Sequence, residues 1–168
     1  MKLPRSGPLV LTCFSLAALV LVAIMPRPIH LVWNGSASVP IGLYWISSGP
    51  AKSGDLALVR LDGWLQSLFE TRGYLPSMVP LLKRIAASQG DEICRTGFDI
   101  SINGRHVATA LSADSMGRPL PVWRGCHVLN DREIFLLNDN PRSLDGRYFG
   151  ATDRALVIGR ATFLWGDF

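Results

Sequence analysis

Asp99-Ile100-Ser101-Ile102-Asn103-Gly104-Arg105-His106-Val107-Ala108 is the stretch that decides the fold class. Asn-Gly between two short β-favouring runs is the strongest local hairpin signal, because both residues tolerate the positive φ that a two-residue turn demands. Outward from it, further short apolar runs have strand character. Asp55–Leu61 is bounded by Gly54 and Gly63, as a buried strand would be, and Glu133–Leu137, Ala155–Gly159 and Ala161–Trp165 read the same way. Leu111 to Pro121, with Gly117, Pro119 and Pro121, reads as a loop. A mainly β domain without internal repeats follows. One stretch departs from it: Leu61, Trp64, Leu65, Leu68 and Phe69 share one helical face. That face either packs on the sheet or forms a flap that meets lipid or substrate.

The chain has 168 residues, 48% of them hydrophobic and 18% charged, and the apolar excess is concentrated at the N-terminus. Ser6 to Pro26 carries no charge, and a helix of about twenty residues matches the roughly 30 Å hydrocarbon layer. Lys2 and Arg5 precede it, which favours a cytoplasmic N-terminus. The run ends in Met25-Pro26-Arg27-Pro28 without a small-x-small cleavage site, so a retained anchor is expected rather than a removed signal peptide. The expected organisation is a short tail (1–5), a transmembrane anchor (6–26) and an exported domain (27–168).

In an oxidising compartment Cys94 and Cys126 form an even pair and are expected to make a disulfide, with Cys13 left inside the anchor. The net charge of +4 comes from scattered basic residues with no stripe of interleaved aromatics, which argues against nucleic acid. His30, His106 and His127 lack metal-ligand spacing, so no metal is expected.

Two distant segments carry the chemistry. Ser38, in Asn34-Gly35-Ser36-Ala37-Ser38-Val39-Pro40-Ile41-Gly42, offers a hydroxyl on a turn, and Lys83, in Leu81-Leu82-Lys83-Arg84-Ile85, offers an amine among apolar neighbours. A serine needs a base to become a nucleophile, and a lysine becomes one when burial lowers its pKa. A third segment, Asn138-Asp139-Asn140-x-x-Ser143-x-Asp145-x-Arg147-Tyr148-x-Gly150, completes the set. In this order the three segments resemble the type I signal peptidase superfamily, from about Asn34 to the C-terminus. The short Ser38-x-Pro40-x-Gly42-x-Tyr44 form and the single anchor are similar to its conjugative-transfer branch, the TraF family.

The resemblance implies a signal-peptidase-like β fold behind one transmembrane helix in a bacterial inner membrane, with the catalytic domain in the periplasm. It implies Ser38 as nucleophile and Lys83 as general base, with no cofactor. Ser36 would help bind the oxyanion, with Asn34 or water as the alternative donor. Ser143 would orient the lysine. Asp145 and Arg147 would pair near the site, and Asp145 is either a purely structural partner of Arg147 or a residue needed for activity. Asn138-Asp139-Asn140 is expected to form the turn feeding this loop. The implied partners are a precursor polypeptide, the lipid bilayer and components of a type IV secretion apparatus.

The expected function is processing of a conjugative pilin precursor, by cleavage with or without cyclisation. The competing readings are a general signal peptidase and an inactive scaffold of the secretion apparatus. A self-cleaving repressor with the same dyad is excluded, since an apolar anchor stands where a DNA-binding domain would be.

Overall fold

In the computed structural model, residues 7–24 and 29–167 are described. The expected tail with Lys2 and Arg5, and the ends of the expected anchor at Ser6 and Met25–Pro28, lie outside them. Helix α1 spans Gly7–Ile24, 18 residues, which at about 1.5 Å per residue rise about 27 Å, short of a roughly 30 Å layer. Among the described residues no helix is long and apolar enough to cross a membrane.

The remainder is mainly β. A seven-stranded antiparallel sheet is built from β1 (Leu31–Asn34), β2 (Ile41–Ser47), β3 (Leu56–Val59), β4 (Leu81–Ala87), β9 (Glu133–Leu136), β10 (Ala151–Asp153) and β11 (Val157–Asp167). Its order is β1-β2-β11-β3-β4-β9-β10. A four-stranded sheet is formed by β5 (Glu92–Thr96), β6 (Asp99–Ile102), β7 (Arg105–Thr109) and β8 (Gly125–Val128), in the order β7-β6-β5-β8.

The Asn103-Gly104 hairpin forms between β6 and β7, with φ of 50° and 74° at its two turn residues, the pair of positive values a type I′ turn requires. The apolar run around β3 is buried on both faces: Ala57, Leu58 and Val59 are each 1% exposed or less, as befits a strand covered on either side. Leu111–Pro121 is a loop carrying one isolated bridge, Ala113 to Pro119.

The two expected C-terminal strands are one. β11 runs continuously through Arg160 and pairs with both β2 and β3, while Arg154–Leu156 is a 3-10 turn. Arg160 is exposed, so its charge does not interrupt a strand whose flanking residues keep their pairing. β11 closes on β2 very tightly at its far end. A Cβ on Gly42 would stand 2.3 Å from the Trp165 carbonyl oxygen, so glycine at this position of the Ser38 motif serves backbone approach.

Helix α2 (Gly63–Thr71) buries Leu65 and Phe69, and Phe69 stacks edge-on against Tyr74. Leu65 and Phe69 share a buried cluster with Leu81 of β4, so the helix packs on the sheet. Trp64 is the exception on the expected apolar face, at 57% exposed.

Cys94 and Cys126 face each other across β5 and β8 and are joined by a disulfide. All four residues of β8 are exposed, so pairing and this covalent link, rather than burial, hold the strand. Replacing both cysteines by serine opens a loop of 32 residues and is expected to cost about 3 kcal/mol of stability. Urea unfolding of the double variant against the oxidised parent measures it; equal midpoints would show that the link contributes nothing.

Candidate active site

Ser38 lies on the loop that joins β1 to β2, and that loop is held from inside by Asn34. The Asn34 amide Nδ2 donates to the carbonyls of Ser36 (2.8 Å), Val39 (3.1 Å) and Pro40 (3.0 Å). Its Oδ1 accepts from the Ser36 hydroxyl at 3.0 Å and the Ser36 N–H at 3.3 Å. The Tyr44 hydroxyl donates to the same Pro40 carbonyl at 2.7 Å, which explains a tyrosine six residues after the serine. Asn34 is 7% exposed and its amide is committed to the loop, so it is not free to serve an oxyanion. Ser36 Oγ stands 3.0 Å from Ser38 Oγ.

Lys83 comes from the middle of β4, a central strand between β3 and β9, and is 3% exposed. Arg84, next along the strand, is exposed, consistent with side chains that alternate across a sheet. Burial pushes the Lys83 amine down from 10.5 to about 8, the Asp145 carboxylate opposes the shift, and the Arg147 guanidinium adds to it. Its Nζ donates to Ser143 Oγ at 2.6 Å. Ser38 and Lys83 open onto one cavity of about 530 Å³ whose other walls are largely apolar, among them Leu31, Trp33, Val79 and Leu82. The lysine amine is bonded to Ser143, and the Ser38 hydroxyl to Ser36.

Behind the lysine lies a buried polar frame. Asp145 is 0% and Arg147 2% exposed. Arg147 Nε and Nη2 donate to the two carboxylate oxygens at 2.9 Å each, a two-point pairing that fixes orientation as well as charge. Asp145 also caps the short helix α3 (Gly146–Phe149), accepting from the Arg147 N–H, and accepts from the Asn138 N–H at 3.1 Å. Arg147 Nη2 donates further to the carbonyls of Asn138 and Asn140.

Those two asparagines do more than form a turn. Asn138, 3% exposed, grips β4 on both sides of Lys83: its Oδ1 accepts from the Arg84 N–H at 2.9 Å and its Nδ2 donates to the Leu82 carbonyl at 3.2 Å. Asn140 Nδ2 donates to the Ala37 carbonyl at 2.8 Å, beside Ser38. One loop therefore positions both the lysine strand and the serine loop. Sequence reasoning missed this because asparagine is an ordinary turn residue; the only local signal was its place next to the Ser-x-Asp-x-Arg segment.

Among the described residues the one cluster with metal-ligand geometry is Glu92, Cys94 and Cys126. Both of its sulfurs are taken up by the disulfide, so it offers no thiolate to an ion.

The model of the signal peptidase family, peptidase S26, matches residues 5–166. A plasmid transfer protein TraF of Escherichia coli is 33% identical over 138 residues, covering 74% of this chain and 77% of its own. A second from Escherichia coli is 30% identical, over 79% of this chain and 82% of that one. A probable conjugal transfer protein TraF of Sinorhizobium fredii is 28% identical, over 94% and 89%. The crystal structure of a signal peptidase I from Enterococcus faecalis aligns with 69% of this chain and all of that one, at 21% identity and a TM-score of 0.40. With a family match across nearly its whole length and TraF relatives at up to 33% identity, the chain belongs to the signal peptidase family, peptidase S26.

Proposed function

We propose that this protein is a membrane-anchored serine endopeptidase that matures a conjugative pilin precursor, with Ser38 as nucleophile and Lys83 as general base. The observation that carries the reading is a buried lysine whose amine is lowered to about 8 and shares a cavity with a serine on a clamped loop. In the reaction, neutral Lys83 accepts the Ser38 proton as Oγ attacks the scissile carbonyl, and Ser143 keeps the amine aimed. The Ser38 N–H and the Ser36 hydroxyl are the candidate oxyanion donors. For the second of these, the Ser36 proton turns from Asn34 Oδ1 toward the developing charge. Attack of water on the Ser38 ester gives cleavage. Attack by the substrate's own terminal amine gives a cyclic subunit.

Membrane anchoring is supported by the uncharged run from Ser6 to Pro26, of which α1 is the described part. It is supported too by exposed Trp33, Trp45 and Trp165, at 58%, 43% and 70%, since tryptophan favours the lipid–water boundary. Ser38 follows Arg27 by eleven residues, a reach of about 3.5 Å each at most, so the nucleophile works near the bilayer surface on the periplasmic side. The TraF relatives are named for plasmid transfer, which favours pilin over secreted proteins at large.

Intact mass of the pilin subunit from cells carrying the parent enzyme or Ser38→Ala tests the reading. A shortened subunit with the parent and full-length precursor with Ser38→Ala is expected, and a further loss of one water would mark cyclisation. Identical masses in both strains would refute it. In the purified enzyme the rate is expected to rise with pH and level off above about 8, because the active base is the uncharged amine. A flat profile between pH 6 and 9 would argue against Lys83 as the base.

A further inference from the structure

Ser38 borders two cavities, and among the described residues it is the one that lines both. The first, shared with Lys83, is largely apolar. The second, of about 410 Å³, is walled by the serine loop on one side and by Arg84, Asn138, Asp139 and Asn140 on the other. A polypeptide laid across Ser38 therefore passes from a wall whose charged residue is Lys83 to one that carries Arg84 and Asp139.

The charges in this second cavity are unequal in freedom. The Arg84 guanidinium donates through Nη1 to the Gly54 carbonyl at 2.9 Å, and Gly54 is not part of the cavity wall. Asp139 is exposed, and among the described residues no hydrogen bond or ion pair engages its carboxylate. Its backbone is nonetheless firmly placed. Asn138 before it is bonded to β4 on both sides of Lys83, and Asn140 after it is bonded to the Ala37 carbonyl. A carboxylate on a braced loop beside the nucleophile is a ready partner for a cation that arrives with the substrate.

We propose that the second cavity is a charge-selecting subsite in which Asp139 receives an alkylammonium or guanidinium group carried by the substrate next to the scissile bond. The inference rests on the peptidase reading above and names the chemistry that the Asp139 side of the site selects. Two sources supply such a cation: a lysine or arginine side chain flanking the cleaved bond, or a free terminal amine. The terminal amine, when deprotonated, is also the nucleophile of cyclisation. In that step the amine nitrogen forms a bond to the acyl carbon, the ester bond to Ser38 Oγ breaks, and the amine proton passes through Lys83 to Ser38 Oγ.

The test uses the full chain in detergent micelles and synthetic precursor peptides with Lys, Gln or Glu at the positions flanking the cleaved bond. The parent enzyme is expected to show a KM for the Lys peptide roughly two- to fivefold below that for the Gln peptide, in the range of an exposed ion pair, with kcat unchanged. Raising the salt should shrink the difference. Asp139→Asn should erase the preference and Asp139→Lys should turn it toward the Glu peptide. Acetylating the peptide N-terminus separates the sources. A KM that rises on all three peptides with the parent enzyme but not with Asp139→Asn belongs to the terminal amine, and a Lys preference with KM values unmoved by acetylation belongs to the side chain. Equal KM values for all three peptides with the parent enzyme, unmoved by acetylation, would overturn the subsite while leaving the peptidase intact. So would an equal loss on all three with Asp139→Asn that is the same for free and acetylated peptides, which would mark a structural role. Processing that persists with Ser38→Ala would overturn both.

Discussion

Lys83→Met is expected to abolish processing while making the folded protein more stable near neutral pH. The two effects share one cause. A buried amine lowered from 10.5 to about 8 is the base we propose for the reaction, and it is also a charge held where burial disfavours it. Loss of a general base costs about 10²- to 10⁴-fold in rate. Because the two groups act as a unit, Ser38→Ala combined with Lys83→Met should be no worse than either alone. On the stability side, the folded pKa is below the unfolded one, so the folded state binds fewer protons between about 8 and 10.5. Stability then rises with pH across that window, and the full penalty of about 3 kcal/mol is felt below it. Methionine has a similar unbranched shape and no charge. It leaves the Ser143 hydroxyl without its donor, at a cost of about 1 kcal/mol. A net gain of about 2 kcal/mol at pH 7 that fades by pH 10 is expected in urea unfolding. A variant destabilised by the same amount at both pH values would show that Lys83 is held by favourable contacts and not against its desolvation.

Breaking the Asp145–Arg147 pair should produce the largest loss of stability. Both groups are essentially unexposed, and removing one partner of such a pair strands the other charge, at about 3–5 kcal/mol. Arg147→Met leaves the Asp145 carboxylate with only the N–H groups of Asn138 and of residue 147, and it also frees the carbonyls of Asn138 and Asn140. Asp145→Asn with Arg147→Met together should be less damaging than the sum of the singles, because neither charge is then unpaired. An additive result would mean that the two side chains act separately.

The same series bears on whether Asp145 is only a brace. Its carboxylate raises the Lys83 pKa, so in Asp145→Asn protein that still folds, the pH–rate profile should move to lower pH. A lower rate with an unmoved profile would leave Asp145 with the purely structural role.

How much of this was readable in advance depends on how local each signal is. The Asn103-Gly104 hairpin and the buried run of β3 were legible because a turn type and a strand covered on both faces leave marks within ten residues. The helix at Gly63–Thr71 was legible from its period, yet Trp64 turned out to face solvent. Periodicity assigns an angle around the axis and does not say where the packing partner ends. The run after Asp153 reads in the sequence as two strands, Ala155–Gly159 and Ala161–Trp165, either side of Arg160. Pairing with β2 on one edge and β3 on the other carries β11 through them.

The sequence by itself determined the chemical inventory: a serine on a turn, a lysine among apolar residues, and a Ser-x-Asp-x-Arg segment in a fixed order. Side-chain chemistry and short spacing are local properties, and they survive in one dimension. Only the tertiary structure decided what these groups do to one another. It placed Lys83 in a central strand, where desolvation lowers its pKa. It spent the Asn34 amide on its own loop, and among the described residues it left the Asp139 carboxylate, in the cavity that Ser38 borders, without a partner. It also made Asn138 and Asn140 the link between the lysine strand and the serine loop. The Asn34 bonds stay within six residues, but the links from Asn138 and Asn140 reach neighbours 54 to 103 residues away in the chain, so no local pattern encodes them.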